Sequence, residues 1–345
     1  MTITVSILGA TGYTGAELLR LLVSHPEVEI SWLTSEKFAG QRIDEVFPNL
    51  VGFCDLRCES ISKLGELPSI DLAFSCLPHG TSMHFVGILV DNDIRVVDFS
   101  ADFRFRRADN YTRWYGREHE RPDLVSEAAY GLTELYRKNI TKARLVANPG
   151  CFATGAVLGV APLSTEGLLS GTTVVVDAKG GMSGVGRAPV LGAHFVEVNE
   201  AISAGPLEGH GQKGEIEQEL RNIAVEPSKA VFIPHTVPVS RGIFTTIYAD
   251  FPRRLYIPEV LEYYREFYRG ERFIRLCPEG TVPDVKNTRY SNFIDIGIGI
   301  QDGKVIICIA LDNLGKGASG QAVQNMNVMF GFDEGEGLKH GGMFP

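Results

Sequence analysis

The residues around one cysteine are not those that a cysteine with only a packing role would need. Cys151 occurs in the segment NPGCFATGA, where proline and glycine precede it and small residues follow. This pattern predicts a tight bend followed by a helix. A helix N-terminus favours the thiolate, and its N–H groups can hold an oxyanion. A buried structural thiol is the alternative, but the segment favours a nucleophile.

A glycine repeat near the start of the chain indicates a phosphate-binding loop. Gly9, Gly12 and Gly15 have the spacing G-x-x-G-x-x-G, between an apolar run and a helical pattern. Such a loop lets the backbone approach a pyrophosphate, and the helix that follows offers free N–H groups. A strand–helix turn that binds nothing is the alternative. The position of the loop between strand and helix favours a dinucleotide.

The end of the second predicted strand bears on which dinucleotide binds. Ser35 and Lys37 suit a 2′-phosphate, whereas Glu36 suits a free ribose unless it points to solvent. We therefore expect NADP(H). A dinucleotide loop together with a thiolate predicts one reaction, in which the thiolate attacks an activated acyl group and the resulting thioester accepts a hydride.

This chemistry needs an acid/base group, and His210 is the first choice among eight histidines. It lies between glycines just before a helical segment, so its ring can reach a neighbouring site. His119 lies in a charged stretch, and we expect it to be solvated.

An acyl phosphate or carboxylate substrate also needs polar and cationic partners. Arg104 and Arg187 are the best-placed cations, and Arg241 also follows a β-like run. A surface salt bridge is the alternative role for each arginine. Asn148, shortly before the thiol, is a further candidate for contact with the substrate.

The elements that would position these residues form two patterns. Over the first hundred residues or so, strand-like runs alternate with helical segments, as in a doubly wound parallel sheet. The middle of the chain has long β-branched runs with two helices, near 215–223 and 258–268, which indicates a mixed or antiparallel sheet. We predict a first domain of residues 1–150, completed by a C-terminal helix at about 313–345, and a second domain of residues 151–312.

Composition and charge exclude several classes of protein. The 345-residue chain has a net charge of −9, which argues against general nucleic-acid binding. It has neither an apolar run long enough for a membrane span nor a signal-peptide pattern. The scattered cysteines fit a reduced, cytoplasmic protein. Cys54 and Cys58 lack a second pair of ligands, so no metal site is expected.

With these residues identified, the chain resembles the N-acetyl-γ-glutamyl-phosphate reductases over nearly its whole length. The segments that carry the resemblance include GATGYTGAELLRLL, FSCLPHG, VVDFSADFR, ANPGCFATGA, HFVEVNE, FIPHTVPVSRG and DNLGKGASGQAVQNMN. The wider relatives, the aspartate-semialdehyde dehydrogenases, resemble the chain less around the cysteine and the C-terminal helix.

The resemblance implies a fold and an activity. The fold is a Rossmann domain plus an α+β domain that makes the interface of a homodimer or homotetramer. The activity is the NADPH-dependent reduction of N-acetylglutamyl phosphate to the semialdehyde in arginine biosynthesis, with Cys151 forming the thioester and inorganic phosphate leaving. The implied and expected cofactor contacts are Gly9, Thr11, Gly12, Tyr13, Thr14, Gly15, Ser35, Lys37, Cys76, Leu77, Pro78, Ser183, Gly184 and Asn313.

One segment departs from the family pattern. The family usually has His-Arg-His-Thr-Pro where this chain has His210-Gly211-Gln212-Lys213-Gly214. Gln212 can donate a hydrogen bond to an oxyanion, but it cannot transfer a proton at neutral pH. We therefore expect His210 to be the proton donor and Gln212 to contact the substrate. The change leaves open a related acyl phosphate, such as a carrier-linked aminoadipyl or glutamyl phosphate or aspartyl phosphate, and also a non-catalytic NADP sensor.

Overall fold

The described part of the chain falls into two compact units. The computed structural model describes residues 2–251 and 254–344. The first unit contains the chain up to Pro149 together with Ala318–Lys339, and the second contains Gly150–Gly317 with the tail from His340. No helix among the described residues is long and apolar enough to cross a membrane.

The first unit is built on a seven-stranded sheet in which every neighbouring pair of strands is parallel. Its strands are β1 (Ile3–Leu8), β2 (Val28–Thr34), β3 (Cys58–Glu59), β4 (Leu72–Ser75), β5 (Arg95–Asp98), β6 (Ala129–Tyr130) and β7 (Leu145–Ala147). They lie in the order β3-β2-β1-β4-β5-β7-β6. The central strands are apolar because both faces of the sheet are covered. This arrangement confirms the predicted doubly wound sheet.

The second unit is built on a mixed seven-stranded sheet. Its strands are β8 (Thr173–Gly181), β9 (Ser203–Ala204), β10 (Lys229–Val237), β11 (Ile243–Asp250), β12 (Ile274–Leu276), β13 (Ile294–Gln301) and β14 (Lys304–Leu311). They lie in the order β12-β13-β14-β11-β8-β10-β9, with β8 parallel to β10 and antiparallel to β11. The long β-branched runs therefore form strands, as predicted.

The helices alternate with the strands in the first unit and cover the sheet in the second. They are α1 (Tyr13–Leu22), α2 (Ile43–Val46), α3 (Ser82–Asp91), α4 (Ala108–Tyr115), α5 (Pro122–Glu127), α6 (Thr133–Ile140), α7 (Cys151–Thr165), α8 (Phe195–Val198), α9 (Gly211–Ile223), α10 (Ile257–Phe267) and α11 (Gly320–Phe330). In the second unit α7 packs on α9 and on the sheet. Its residues from Ala153 to Ser164 are all buried, so α7 is a core helix.

Helix α11 belongs to the first unit although it comes last in the chain. Its residues from Gly320 to Met329 are all buried. Asn325 accepts a hydrogen bond from the Thr133 hydroxyl (2.8 Å), and the Met329 carbonyl accepts one from Arg95 (2.9 Å). The first unit thus includes a helix from the far end of the chain.

The order of strands in the first sheet marks where a ligand can bind. Strands β1 and β4 are neighbours, and the order of the strands reverses between them. Gly9 directly follows β1 and Cys76 directly follows β4. In doubly wound sheets, ligands bind beyond the carboxyl ends of the strands at this switch point.

Candidate active site

The glycine loop turns tightly between β1 and α1. Gly9 has a φ of +77°, a conformation that favours glycine, and a Cβ there would lie 2.8 Å from the Cys76 carbonyl oxygen. A Cβ on Gly15 would lie 2.6 Å from the Ala10 carbonyl oxygen. Close packing of the loop therefore explains the absence of a side chain at both glycines.

Gly12, the N-cap of α1, has more open surroundings. The nearest atom to a Cβ at Gly12 would be the Gly9 carbonyl oxygen, at 3.7 Å. No side chain among the described residues caps α1 at this point. Open backbone at a helix N-terminus, beside Tyr13 and Thr14, fits a pyrophosphate group.

The polar residues predicted to bind the cofactor lie around this loop. The hydroxyls of Thr11 and Ser35 share a hydrogen bond of 2.7 Å. The Thr14 side chain hydrogen-bonds the half-buried Cys76 thiol. The structure thus brings residues from the ends of β1, β2 and β4 together.

Glu36 and Lys37, the residues expected to distinguish a free ribose from a 2′-phosphate, have different surroundings. The Glu36 carboxylate accepts hydrogen bonds from the Ile61 N–H (2.6 Å) and the Ser60 hydroxyl (3.2 Å). The Lys37 ammonium group lies 5.5 Å from the centroid of the Phe38 ring, and the lysine is exposed. The acid is therefore bound to a neighbouring loop, while the lysine remains at the surface.

A buried acid that the sequence analysis did not single out holds the turn after β4. The carboxylate of Asp102 accepts hydrogen bonds from the N–H groups of Gly80 and Met83 and from the Tyr111 hydroxyl. These bonds fix the turn that carries Leu77 and Pro78. His119 is also buried here, with Nε2 2.8 Å from the Asp102 carbonyl oxygen, so the expectation of a solvated histidine is wrong. The charged residues beside His119 in the sequence led to that expectation.

Arg104 and Asn148 support the segment that leads to the thiol. Arg104 is buried and donates to the carbonyl groups of Asn148 (2.8 Å) and Phe99 (2.6 Å). The Asn148 amide donates to the Ala318 carbonyl (3.0 Å) and accepts from Asn325 (3.0 Å). Both predicted substrate residues thus form hydrogen bonds within the first unit.

In the second unit Cys151 is the first residue of α7, and Gly150 is the N-cap. Cys151 lines a cavity of about 240 Å³. Of the predicted residues, the cavity wall also contains Gly184, His210, Gln212 and Asn313. The structure therefore brings the thiol together with its predicted partners from distant parts of this unit.

The first turn of α7 is capped by side chains of α9. The Gln212 side-chain oxygen accepts hydrogen bonds from the N–H groups of Phe152 (2.9 Å) and Ala153 (3.1 Å). The carboxylate of Glu215 accepts one from the Gly150 N–H (2.8 Å). These N–H groups are bonded to α9, so the expectation that they hold an oxyanion is wrong for these three.

His210 is the N-cap of α9. Its Nδ1 accepts a hydrogen bond from the Gln212 backbone N–H (3.2 Å), and its ring packs edge-on against Phe152 and Phe232. Burial lowers the pKa of His210 below its ordinary value of 6.5, against a smaller opposing effect of Glu215. The ring is therefore neutral at pH 7, and its proton lies on Nε2.

The remaining predicted residues of the second unit differ in their relation to the cavity, and Arg241 lines a different one. The Asn313 amide donates to the Ser183 hydroxyl (2.8 Å) and accepts the Gly242 N–H (2.7 Å). Arg187 is half-buried and follows Val185, which lines the cavity. Arg241 binds the Asp312 carboxylate, and both side chains are buried, so this ion pair is not the surface salt bridge of the alternative.

The other five cysteines are poor nucleophiles. Burial raises the pKa of Cys58 to about 11 and that of Cys76 to about 12. Burial also raises the pKa of Cys54, Cys277 and Cys308. These groups remain thiols at neutral pH, and the thiolate is the reactive form of cysteine.

Comparison with known families assigns both units to one superfamily. The model "Semialdehyde dehydrogenase, NAD binding domain" matches residues 4–143, and "Semialdehyde dehydrogenase, dimerisation domain" matches residues 151–313. Curated proteins named N-acetyl-gamma-glutamyl-phosphate reductase match over their full length. The one from Pelotomaculum thermopropionicum is 43% identical over 100% of both chains. The one from Heliobacterium modesticaldum is 46% identical over 99% of both chains.

The chain belongs to the N-acetyl-gamma-glutamyl-phosphate reductase family. Solved structures of more distant relatives share the fold. Aspartate semialdehyde dehydrogenase II from Vibrio cholerae has a TM-score of 0.74 at 15% identity, over 96% of this chain and 98% of that one. The Candida albicans aspartate semialdehyde dehydrogenase solved with NADP has a TM-score of 0.72 at 17% identity, over 96% and 99%.

Two residues beside the thiol of this reductase-family chain have no role in the sequence analysis. Glu215 is buried, although the segment EIEQEL has the pattern of a solvated helix face. A Cβ on Gly317 would lie 2.8 Å from the Cys151 Cβ. Gly317 is far from Cys151 in the chain, so the sequence alone does not indicate this contact.

Proposed function

We propose that the protein reduces N-acetyl-L-glutamyl 5-phosphate to N-acetyl-L-glutamate 5-semialdehyde and releases phosphate, as a step of arginine biosynthesis. The observation that carries the proposal is Cys151 at the start of α7, in a cavity shared with His210 and Gln212. Full-length relatives that bear this reductase name, at 43–46% identity, support the choice of substrate.

In the first step the Cys151 thiolate attacks the acyl carbon of the substrate. A carbon–sulfur bond forms, the bond from the acyl carbon to the phosphate oxygen breaks, and the electron pair leaves with phosphate. The Nε2–H of His210 is the proposed donor to the acyl oxygen, and the Gln212 amide nitrogen assists it. The product is a thioester on Cys151.

In the second step the thioester carbon is reduced. The nicotinamide cofactor, when bound, supplies the hydride for this reduction. The thiohemiacetal oxyanion then collapses: the carbonyl bond re-forms, the carbon–sulfur bond breaks, and the Cys151 thiolate is regenerated. His210 stabilises the oxyanion through its Nε2–H, so this direction of the reaction needs a hydrogen-bond donor at each stage.

The cofactor that we propose is NADP(H). The open backbone at Gly12 fits a dinucleotide pyrophosphate. Glu36 is hydrogen-bonded to the Ser60–Ile61 loop, which removes the acid that would repel a 2′-phosphate. Lys37 is exposed nearby and supplies a positive charge. The turn of Cys76, Leu77 and Pro78 borders the same loop, and Ser183, Gly184 and Asn313 are proposed for the nicotinamide end.

We also propose that the protein works in the cytoplasm as a homodimer or homotetramer. The second unit exposes large apolar side chains at Leu191 (72%), Phe195 (75%) and Val196 (86%). Exposed apolar clusters of this kind are typical of protein contacts. Light scattering on the purified protein distinguishes these assemblies from a monomer.

The reverse reaction tests the proposed function. The protein is mixed with N-acetylglutamate semialdehyde, phosphate and NADP⁺, and NADPH is measured. We expect phosphate-dependent NADPH formation by the wild type and a loss of at least about 10³-fold in Cys151→Ser. A matched control, Cys277→Ser, should retain activity because that thiol lies outside the cavity wall.

The His-Gly-Gln-Lys-Gly segment leaves related acyl phosphates open, so the same assay includes two other aldehydes. Aspartate semialdehyde and an aminoadipate semialdehyde derivative are offered in place of the first aldehyde. Phosphate-dependent turnover with one of these, and none with N-acetylglutamate semialdehyde, would contradict the proposed substrate. Binding of NADP⁺ without turnover of any aldehyde would support a sensor instead.

A further inference from the structure

The start of α7 is held by two side chains of α9. Gln212 and Glu215 are three residues apart, so they lie on the same face of α9. Between them they accept the N–H groups of Gly150, Phe152 and Ala153. These residues flank Cys151 on both sides. The backbone around the reacting sulfur is therefore set by α9.

The hydrogen bonds fix the orientation of the Gln212 amide. Two backbone N–H groups point at the same side-chain atom, and an amide NH₂ group cannot accept them. That atom must be the oxygen, so the NH₂ group lies on the other side. The NH₂ group has no hydrogen-bond partner within residues 2–251 and 254–344, and Gln212 lines the cavity.

The contact leaves no room for a side chain at Gly150. A Cβ on Gly150 would lie 2.5 Å from the Gln212 amide carbon and 2.8 Å from a Glu215 carboxylate oxygen. The two side chains therefore touch the bend before Cys151 as well as the turn after it.

We propose that Gln212 is a positioning residue for Cys151, a neutral clamp that holds the first turn of α7 and presents its NH₂ group to the bound acyl oxygen. A charged or titrating side chain here would change the ionisation of the sulfur. The ionisable groups near the clamp in the described chain are His210 and Glu215 on α9 and His235 of β10, which lines the cavity. The activity part of this inference rests on the proposed function.

The test uses the full-length protein and three readouts: the pH dependence of Cys151 alkylation by iodoacetamide, kcat and KM in the reverse reaction, and the thermal midpoint. Gln212→Glu keeps the capping oxygen and adds a negative charge. We expect its alkylation midpoint to rise by about one pH unit, with an unchanged thermal midpoint. Gln212→Met removes both the cap and the donor, and kcat should fall about 10- to 100-fold.

Gln218→Met, on the same helix, is the matched control. Gln218 donates to Glu219 (3.0 Å) and is not among the residues that line the Cys151 cavity, so this variant should keep the wild-type alkylation profile and kcat. Wild-type kcat in Gln212→Met, or an unmoved alkylation midpoint in Gln212→Glu, would overturn the proposal. The alkylation readout needs no substrate. It therefore tests the positioning role of Gln212 even if the proposed substrate is wrong.

Discussion

At the scale of single residues, the chemistry depends on which groups near Cys151 can carry a proton. The Nδ1 atom of His210 caps α9, so the ring is a neutral donor through Nε2. Gln212 offers hydrogen bonds without proton transfer. The proposed reaction therefore uses hydrogen-bond donors that are present throughout the neutral pH range.

The substitution His210→Asn separates the chemical role of the ring from its structural role. Asparagine is a good N-cap, so α9 should keep its start. The Nε2–H donor is lost, and we expect kcat to fall about 10²-fold across pH 6–9. Steady-state kinetics over that range measure the effect. A variant with a rate close to wild type would reject a role for His210 in the reaction.

The lowered pKa of His210 also predicts how stability depends on pH. The unfolded chain binds a proton near pH 6.5, whereas the folded protein binds it only at lower pH. Stability from this residue is therefore present above that value and is lost as the pH falls below it. Urea unfolding at pH 7.5 and pH 5.5 should show a smaller loss for His210→Asn than for wild type. Equal losses would contradict the assignment of a neutral buried ring.

Cofactor preference is a second property of single residues. If Lys37 binds the 2′-phosphate, Lys37→Ala should raise the KM for NADPH about tenfold and leave that for NADH unchanged. Glu36→Gln is the control, because its carboxylate is hydrogen-bonded to another loop. An equal effect of Lys37→Ala on both dinucleotides would argue against the proposed contact.

Residue-scale prediction from sequence succeeded where the pattern is local. The strand–glycine–helix pattern and the bend before Cys151 are short segments, and both could be recognised directly. The Gln212 cap joins atoms 60 residues apart, and nothing in either segment encodes that contact. Resemblance to a family placed Gln212 near the substrate, but only the structure shows which of its atoms is engaged.

At the scale of elements, two glycines of the same loop should respond differently to alanine. At Gly15 the new Cβ would lie within 2.7 Å of Ala10 backbone atoms, so Gly15→Ala should lower the thermal midpoint by several degrees. At Gly12 the nearest atom is 3.7 Å away. Gly12→Ala should keep its stability but weaken NADP⁺ binding about tenfold or more, measured by calorimetry. Unchanged binding in Gly12→Ala would contradict the pyrophosphate site.

The predicted elements were accurate where they are long. Strands such as β8 and β11 bury alternate β-branched residues, which is a strong pattern. The edge strands β3 and β6 have two residues each, too few to show any periodicity. Helix α1 begins at Tyr13, inside the glycine repeat, because Gly12 serves as its N-cap.

At the scale of the whole molecule, the chemistry is divided between two units. The dinucleotide loop belongs to the first unit and the thiol to the second. The chain passes from one unit to the other after Pro149, after Gly317 and again after Lys339. Gly150 and Gly317, which border the first two of these points, both pack against residues that shape the Cys151 site. A composition-based division into two domains could be made from sequence, but these packing contacts could not.

The central claim is that Cys151 forms the thioester, and one measurement tests it most directly. The protein is mixed with N-acetylglutamate semialdehyde and NADP⁺ without phosphate, so that the acyl group has no acceptor. We expect a burst of about one NADPH per chain and a mass increase of one N-acetylglutamyl group on the peptide containing Cys151. Cys151→Ser should show neither. A burst that survives Cys151→Ser, or an acyl group found on another residue, would contradict the account.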